Sequence, residues 1–177
     1  MERPKKYCKD SRAIKALHVM PEDLNMHQTI FGGKVMELID DIAALSATRH
    51  ARMPVVTAST DSVNFLAPVK MGDAICLESF VSWTSRKSME VFVKVISEEL
   101  LSAKRTVTTT AFLTFVALDE HGKSAMVPEV IPETELEIEL YKTAPIRYEE
   151  RKRRREETSF LVSKIDLSPP FQKGVWI

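Results

Sequence analysis

The sequence predicts an α+β fold in which an antiparallel sheet packs on one buried helix. Three observations carry this. The stretch from Gly32 to His50 is apolar on nearly every side, with Val35, Met36, Leu38, Ile39, Ile42 and Leu45 leaving little room for a wetted face. That is the pattern of a helix inside a core. Four segments rich in β-branched and aromatic residues follow, each closed by a turn. One helix cannot cover both faces of the resulting five-stranded sheet. A half-apolar face and open strand edges are left, and they predict an oligomer.

Taken in order, residues 1–10 read as a flexible basic arm. Residues 13–20 read as a first strand, stopped by Pro21-Glu22-Asp23. His18 is a half-buried strand residue in this reading, and His27 a solvated loop residue. The helix of roughly 18 residues comes next and is broken by Arg52-Met53-Pro54. The later strands fall at residues 55–66, 74–84, 88–98 and 106–118. Alternation is clearest in the third, where Met89, Val91, Val93 and Val95 share one face and Glu90, Lys94 and Glu98 the other. Beyond Pro128 and Pro132, Thr134 and Glu137 form a capping box that starts a short helix, which Pro145 ends. Residues 146–157 are charged throughout, with acids interleaved among the bases. They read as a solvated helix with Glu149 and Glu150 against Arg153 and Arg154, not as a phosphate or RNA contact. The last stretch carries Leu161, Val162, Ile165, Phe171, Val175 and Trp176, and either docks on a neighbouring subunit or is mobile. The organisation expected is an arm (1–10), one domain (11–132) and a charged C-terminal helix and tail (133–177).

Composition excludes several classes. The 177 residues carry 25 basic and 25 acidic side chains, so no global field draws the chain to nucleic acid or to a membrane surface. Cys8 and Cys76 give neither a disulfide framework nor metal-ligand spacing, and Cys76 reads as a small core residue. No apolar run of transmembrane length and no signal peptide stands in the chain, so a cytoplasmic protein is expected.

Helical spacing sorts the polar residues of the central helix. Lys34, Glu37, Asp41 and Thr48 share one stripe, which reads as its narrow solvent edge. Gly33, Met36, Asp40, Ala43 and Ala47 share another, on which Asp40 is the charged exception. A carboxylate placed there is paired, protonated or at work. At the start of the helix, Gly32-Gly33 exposes backbone N–H groups at the positive end of the dipole, with no Cβ to bar an approaching molecule. Such an end can hold a phosphate or polarise a carbonyl oxygen. Gly32 and Asp40 are eight residues apart, about 12 Å along a helix. No single carbonyl carbon can sit near both, so a site using both needs two copies of the helix.

The run N-x-x-x-x-I-F-G-G-K-V-M-x-L-I-D-D from Asn25, followed by T-R-H, VTAS-x-D-x-VNF and SRKSMEV, resembles the hotdog-fold acyl-CoA thioesterases. The resemblance covers about residues 10–150, and the bacterial and brain-type cytosolic acyl-CoA hydrolases lie within that family. It implies a helix wrapped by an antiparallel sheet, paired into dimers and commonly assembled as a hexamer, a trimer of dimers. It implies a catalytic aspartate at Asp40 and a donor pair at Gly32-Gly33. Many members carry Gly where Gln28 stands, often beside Asn or Asp where Thr29 stands.

The expected reaction is hydrolysis of acyl-CoA to free acid and coenzyme A. Asp40 would activate water as a general base, or attack as a nucleophile. Gly33, or alternatively Gly32, of the other copy would donate to the oxyanion, and Asn25 and Thr29 would position water or carbonyl. Ser85, Arg86, Lys87 and Ser88, at a strand–strand turn, offer cations and hydroxyls to the coenzyme A phosphates. No metal or redox cofactor is needed. A hotdog dehydratase would need a His within the helix, where none precedes its end. A non-catalytic acyl-CoA-binding hotdog protein is the alternative. A nucleic-acid scaffold acting through residues 151–155 would be marked by steeply salt-dependent binding.

Overall fold

The computed structural model describes residues 3–167. Its centre is α2 (Gly32–Ala51), which packs on a five-stranded antiparallel sheet. The strands are β2 (Ala13–His18), β3 (Val55–Phe65), β4 (Ala74–Thr84), β5 (Ser88–Glu99) and β6 (Lys104–Ala117), in the order β2-β4-β5-β6-β3. The expected boundaries agree to within two residues at each end. The expected alternation of β5 holds on the helix side, where Met89, Val91, Val93 and Val95 are fully buried.

α2 is seated by packing and by one buried polar contact. Val35, Leu38, Ile39, Ile42, Ala43 and Ala47 face the sheet. Ser79 Oγ, on β4, donates to the Ile42 carbonyl at 2.9 Å and lies 2.7 Å from Ser46 Oγ. The C-terminal end of α2 is closed by Arg52 in the left-handed region (φ 55°), whose N–H bonds the Thr48 carbonyl. Lys6 Nζ donates to the His50 carbonyl at 2.6 Å, a cation on the negative end of the dipole.

Several expectations need correction. Residues 5–11 are not a loose arm: β1 (Lys5–Tyr7) pairs in parallel with β7 (Glu129–Ile131), and the single-turn α1 (Cys8–Ser11) buries Cys8 and Ser11. Ser11 Oγ then accepts from the Val81 N–H on β4. α2 is not apolar-buried all round, since Met36 and Leu45 are 46% exposed and Asp40 is exposed too. The second face of the sheet is not bare. Phe80 and Phe92 on it are buried, the Arg12 guanidinium lies 5.0 Å from the Phe80 ring centroid, and Glu90 is buried with Ser82 Oγ donating to it at 3.0 Å. Finally, Pro145 does not end α3, which runs Glu135–Val162 with the proline inside. Thr143 Oγ1 bonds the Glu139 carbonyl nearby, and the following residues are strong helix formers carrying an Arg153–Glu157 pair at 3.7 Å. His18 is exposed rather than half-buried, and Cys76 is only partly buried.

The capping box is present: Glu137 Oε2 accepts from the amides of Glu133 and Thr134, and Arg12 Nη2 donates to Oε1 at 2.7 Å. The chain divides into two compact units on either side of Ala144/Pro145, and Val130, Leu140 and Tyr141 of the first join its core. The expected docking or mobility of the tail concerns mostly residues 168–177, which lie outside the described residues. No described helix is long and apolar enough to cross a membrane.

His50, near the end of α2, is fully buried. Its Nε2 donates to the Pro128 carbonyl at 3.0 Å, which leaves Nδ1 buried without a partner among the described residues. Burial holds its pKa below the usual 6.5; the Pro128 carbonyl opposes this, Lys6 and Arg3 reinforce it, and Asp10 weakly opposes. The folded chain therefore takes up this proton less readily than the unfolded chain. His50 takes nothing from stability well above pH 6.5 and removes stability as the pH falls below it. His50→Gln keeps a donor for Pro128 but does not titrate. It is expected to lose less unfolding free energy than the parent between about pH 7 and about pH 5, measured by urea denaturation. Equal losses in the two proteins would contradict the assignment.

Candidate active site

The loop before α2 is shaped by Asn25. Its Oδ1 accepts from the His27 amide at 2.8 Å and from the Thr29 amide at 3.4 Å, and its Nδ2 donates to Thr29 Oγ1 at 3.1 Å. Backbone bonds Asn25 N–H to Thr29 O and Gln28 N–H to Asn25 O close the turn. Gln28 sits at φ 59°, in the left-handed region, the conformation glycine takes without cost. The loop is anchored by Ile30 N–H to Val69 O and Phe31 N–H to Asp23 O.

The chain then enters α2 with no side chain capping the first turn. The first amides bonded within the helix are those of Lys34 and Val35, both to the Phe31 carbonyl. The N–H groups of Gly32 and Gly33 make no hydrogen bond among the described residues. Rings flank them: a Cβ on Gly32 would stand 3.7 Å from Phe65 Cζ, and one on Gly33 would run into the Phe31 ring. Beside Gly32 opens a cleft of about 400 Å³. Its polar groups are Asn25, Thr29 and Thr109; Ile30, Val35, Phe65 and Leu66 make much of its apolar wall. Gly32, not Gly33, lines it.

Asp40 is not in that cleft. It is exposed two turns further along α2, where Thr57 Oγ1 on β3 donates to its Oδ1 at 3.0 Å. Asp40 is therefore not the buried charge its stripe predicts: that stripe is buried at Ala43 and Ala47 but open at Gly33, Met36 and Asp40. The other stripe behaves as expected, with Glu37, Asp41 and Thr48 exposed and Lys15 Nζ 2.8 Å from Asp41 Oδ2. Thr57 was missed as a site residue, although VVTAS stood out as a motif; a threonine in a β-branched run reads first as a strand former.

Ser85–Ser88 form the β4–β5 turn, with the two serine hydroxyls 2.7 Å apart, Lys87 Nζ donating to Ser124 Oγ at 3.2 Å, and Arg86 and Lys87 exposed. Ser88 pairs with Val116, which pairs with Val56. The turn thus lies at the Thr57 end of the sheet, with Asp40. Gly32 lies at the far end, against Phe65. A single chain holds two half-sites and does not bring them together.

A long helix cradled by this strand order, with free amides at its start and a carboxylate two turns on, is the architecture of hotdog hydrolases. The thioesterase superfamily model matches residues 27–104. An acyl-CoA thioester hydrolase of Bacillus subtilis is 51% identical over 172 residues, covering 97% of this chain and all of that one. The chain belongs to the thioesterase superfamily, among its acyl-CoA thioester hydrolases. A hexameric acyl-CoA thioesterase superposes with a TM-score of 0.83 at 53% identity, over 85% of this chain and 97% of that one. The acyl-CoA hydrolase of Staphylococcus aureus, solved with butyryl coenzyme A, coenzyme A and coenzyme A disulfide, superposes with a TM-score of 0.88 at 44% identity, over 91% of this chain and 98% of that one. The Staphylococcus enzyme has also been solved with an asparagine, an aspartate and a threonine each replaced by alanine, at positions separated by 15 and 17 residues. Asn25, Asp40 and Thr57 are separated by the same 15 and 17.

The two glycines should differ under substitution. Gly32→Ala makes an ordinary contact with Phe65 and gains helix propensity, so its stability is expected within about 1 kcal/mol of the parent. Gly33→Ala must push the Phe31 ring to another rotamer. A crystal structure of Gly33→Ala with the ring unmoved would contradict this packing.

Proposed function

We propose that this chain hydrolyses acyl-CoA thioesters to free acid and coenzyme A, in the cytoplasm, at sites shared between two copies. The observation that carries the reading is the separation of two unbonded amides, the Gly32 one at an apolar cleft, from an exposed carboxylate about 12 Å along the same helix. Both half-sites lie against β3, an edge strand whose Val56 and Phe65 are half exposed. Antiparallel pairing of two copies along this edge sets the Thr57 end of each β3 beside the Phe65 end of the other. Each Asp40 then meets its twin's diglycine. The hexameric relative supports assembly of such pairs into a trimer of dimers.

In this reading Asp40 takes a proton from water while the water oxygen attacks the thioester carbonyl carbon. The carbonyl oxygen becomes negative and accepts hydrogen bonds from the free amides of the twin's helix, Gly33 and Gly32. Collapse breaks the carbon–sulfur bond; the thiolate leaves and takes up the proton. Thr57 orients Asp40, and the residues replaced in the Staphylococcus enzyme support giving Asn25, Asp40 and Thr57 roles together. Asn25 and Thr29 face the same cleft as Gly32 and position water or carbonyl there. In the nucleophile variant an anhydride forms on Asp40, and single turnover in heavy-oxygen water would label its carboxylate. The Ser85–Ser88 turn shares the Asp40 end of the sheet, so its Arg86 and Lys87 are offered to the coenzyme A phosphates. The reaction as proposed uses no metal or redox cofactor, and neither nucleic acid nor a membrane is a partner in it.

Asp40→Asn is expected to keep the fold and acyl-CoA binding but lower kcat by at least about 10²-fold, followed as free thiol from acyl-CoA esters of graded length. Parental turnover in that variant would remove Asp40 from the mechanism. A parent chain that binds acyl-CoA and releases no thiol would favour a non-catalytic binding protein. Sedimentation should find dimers or larger assemblies at assay concentration; an active monomer would rule out the shared site.

A further inference from the structure

β3 departs from regular pairing twice, between Thr57 and Ser59 and between Thr60 and Ser62. Thr57 pairs with Phe115, Ser59 with Thr114, Thr60 with Leu113 and Ser62 with Phe112, so Ala58 and Asp61 are the two inserted residues. A bulge reverses the alternation of side chains, and a second one close by reverses it back. Thr57 therefore stands on the helix side, where it meets Asp40. Val63, packed on the core, and Phe65, against Gly32, stand on that side again. Between the bulges Ser59 is turned to the other face, level with Thr114, whose neighbours Leu113 and Phe115 are both in the core.

One side chain ties these parts together. The half-buried carboxylate of Asp61 accepts from Ser59 Oγ through Oδ1 at 2.7 Å and from Thr114 Oγ1 through Oδ2 at 2.7 Å. The inserted residue of the second bulge is thereby fastened to the paired residues that separate it from the first. Hydroxyl bonds to a carboxylate at this length are charge-assisted and among the stronger ones. They act on an edge strand, which has no further strand among the described residues to hold its register. Asp61 lies in the VTAS-x-D-x-VNF motif and has no part in the proposed chemistry.

We propose that Asp61 is a positioning residue: through Ser59 and Thr114 it fixes the double bulge that presents the Thr57 hydroxyl to Asp40. This rests on the thioesterase reading above. If Asp61 acts by that route, its loss and the loss of Thr57 damage the same thing, and their effects on turnover cannot multiply. A residue that only contributes stability would lower the folded fraction and leave turnover per folded molecule unchanged.

The test is a double-mutant cycle on the full chain with a medium-chain acyl-CoA, scaling rates to the folded fraction from circular dichroism. Asp61→Ala is expected to lower kcat on the order of tenfold with KM within about twofold, the mark of misplacement without lost binding. Thr57→Val lowers kcat comparably, and the double variant is expected to fall no further than Thr57→Val alone. Losses that multiply, or parental kcat in Asp61→Ala, would overturn the proposal. Should Asp61→Ala fail to fold, Thr114→Val removes one of the two hydroxyls at nearly constant shape. Its smaller loss of kcat must likewise vanish in the Thr57→Val background, and full additivity there overturns the proposal. A parent chain inert toward every acyl-CoA overturns the thioesterase reading and this inference with it. An active parent with additive variants overturns this inference alone.

Discussion

The structure depends on how α2 is held. Its apolar face is pinned to the sheet, and the Ser79 hydroxyl bonds both the Ile42 carbonyl and Ser46 at the middle of that contact. A polar pair buried so deeply has one satisfied arrangement, so it fixes the axial position of the helix as packing alone does not. With the middle fixed, the ends are fixed. Gly32 falls against Phe65 at one end of β3, Asp40 falls against Thr57 nearer the other, and the C-terminal carbonyls fall onto Lys6.

That placement explains why, in the proposed reaction, one chain supplies only part of each site. A helix advances about 1.5 Å per residue, so an amide donor and a carboxylate eight residues apart cannot reach one atom. On the surfaces that carry them, Phe31, Met36, Leu45, Val56 and Phe65 are among the large apolar side chains that stay exposed. These side chains flank both half-sites. Shape, chemistry and exposed apolar area therefore ask for the same second molecule.

Much of this was legible in the sequence. The five strands and the central helix were visible because their periodicity is that of a sheet half-buried on one helix. The diglycine was visible as a helix start without Cβ atoms over its free amides, and the capping box at Thr134 and Glu137 was a local signal that the structure keeps. Other features were not legible. β1 and β7 are three residues each and make sense only as a pair far apart in sequence. Pro145 read as a stop because its local penalty is large, yet the helix continues through it into a segment dense in helix formers. Alternation put Glu90 on the face away from the helix, but could not say that this face is covered there and Glu90 buried. Asp40 read as hidden because the sequence does not say which part of an apolar helix the chain leaves for a second copy to cover.

The loop from Asn25 to Thr29 has one more consequence. Its shape is held by the Asn25 carboxamide and by a left-handed Gln28, a backbone state an ordinary side chain adopts at an energetic penalty of about 1 kcal/mol or more. The loop is therefore held in one shape by its own bonds, and in the proposed reaction that shape would be ready before a ligand arrives. An incoming acyl group need freeze little of the wall it meets, so less of its contact energy is spent on ordering the wall and more remains to discriminate one guest from another.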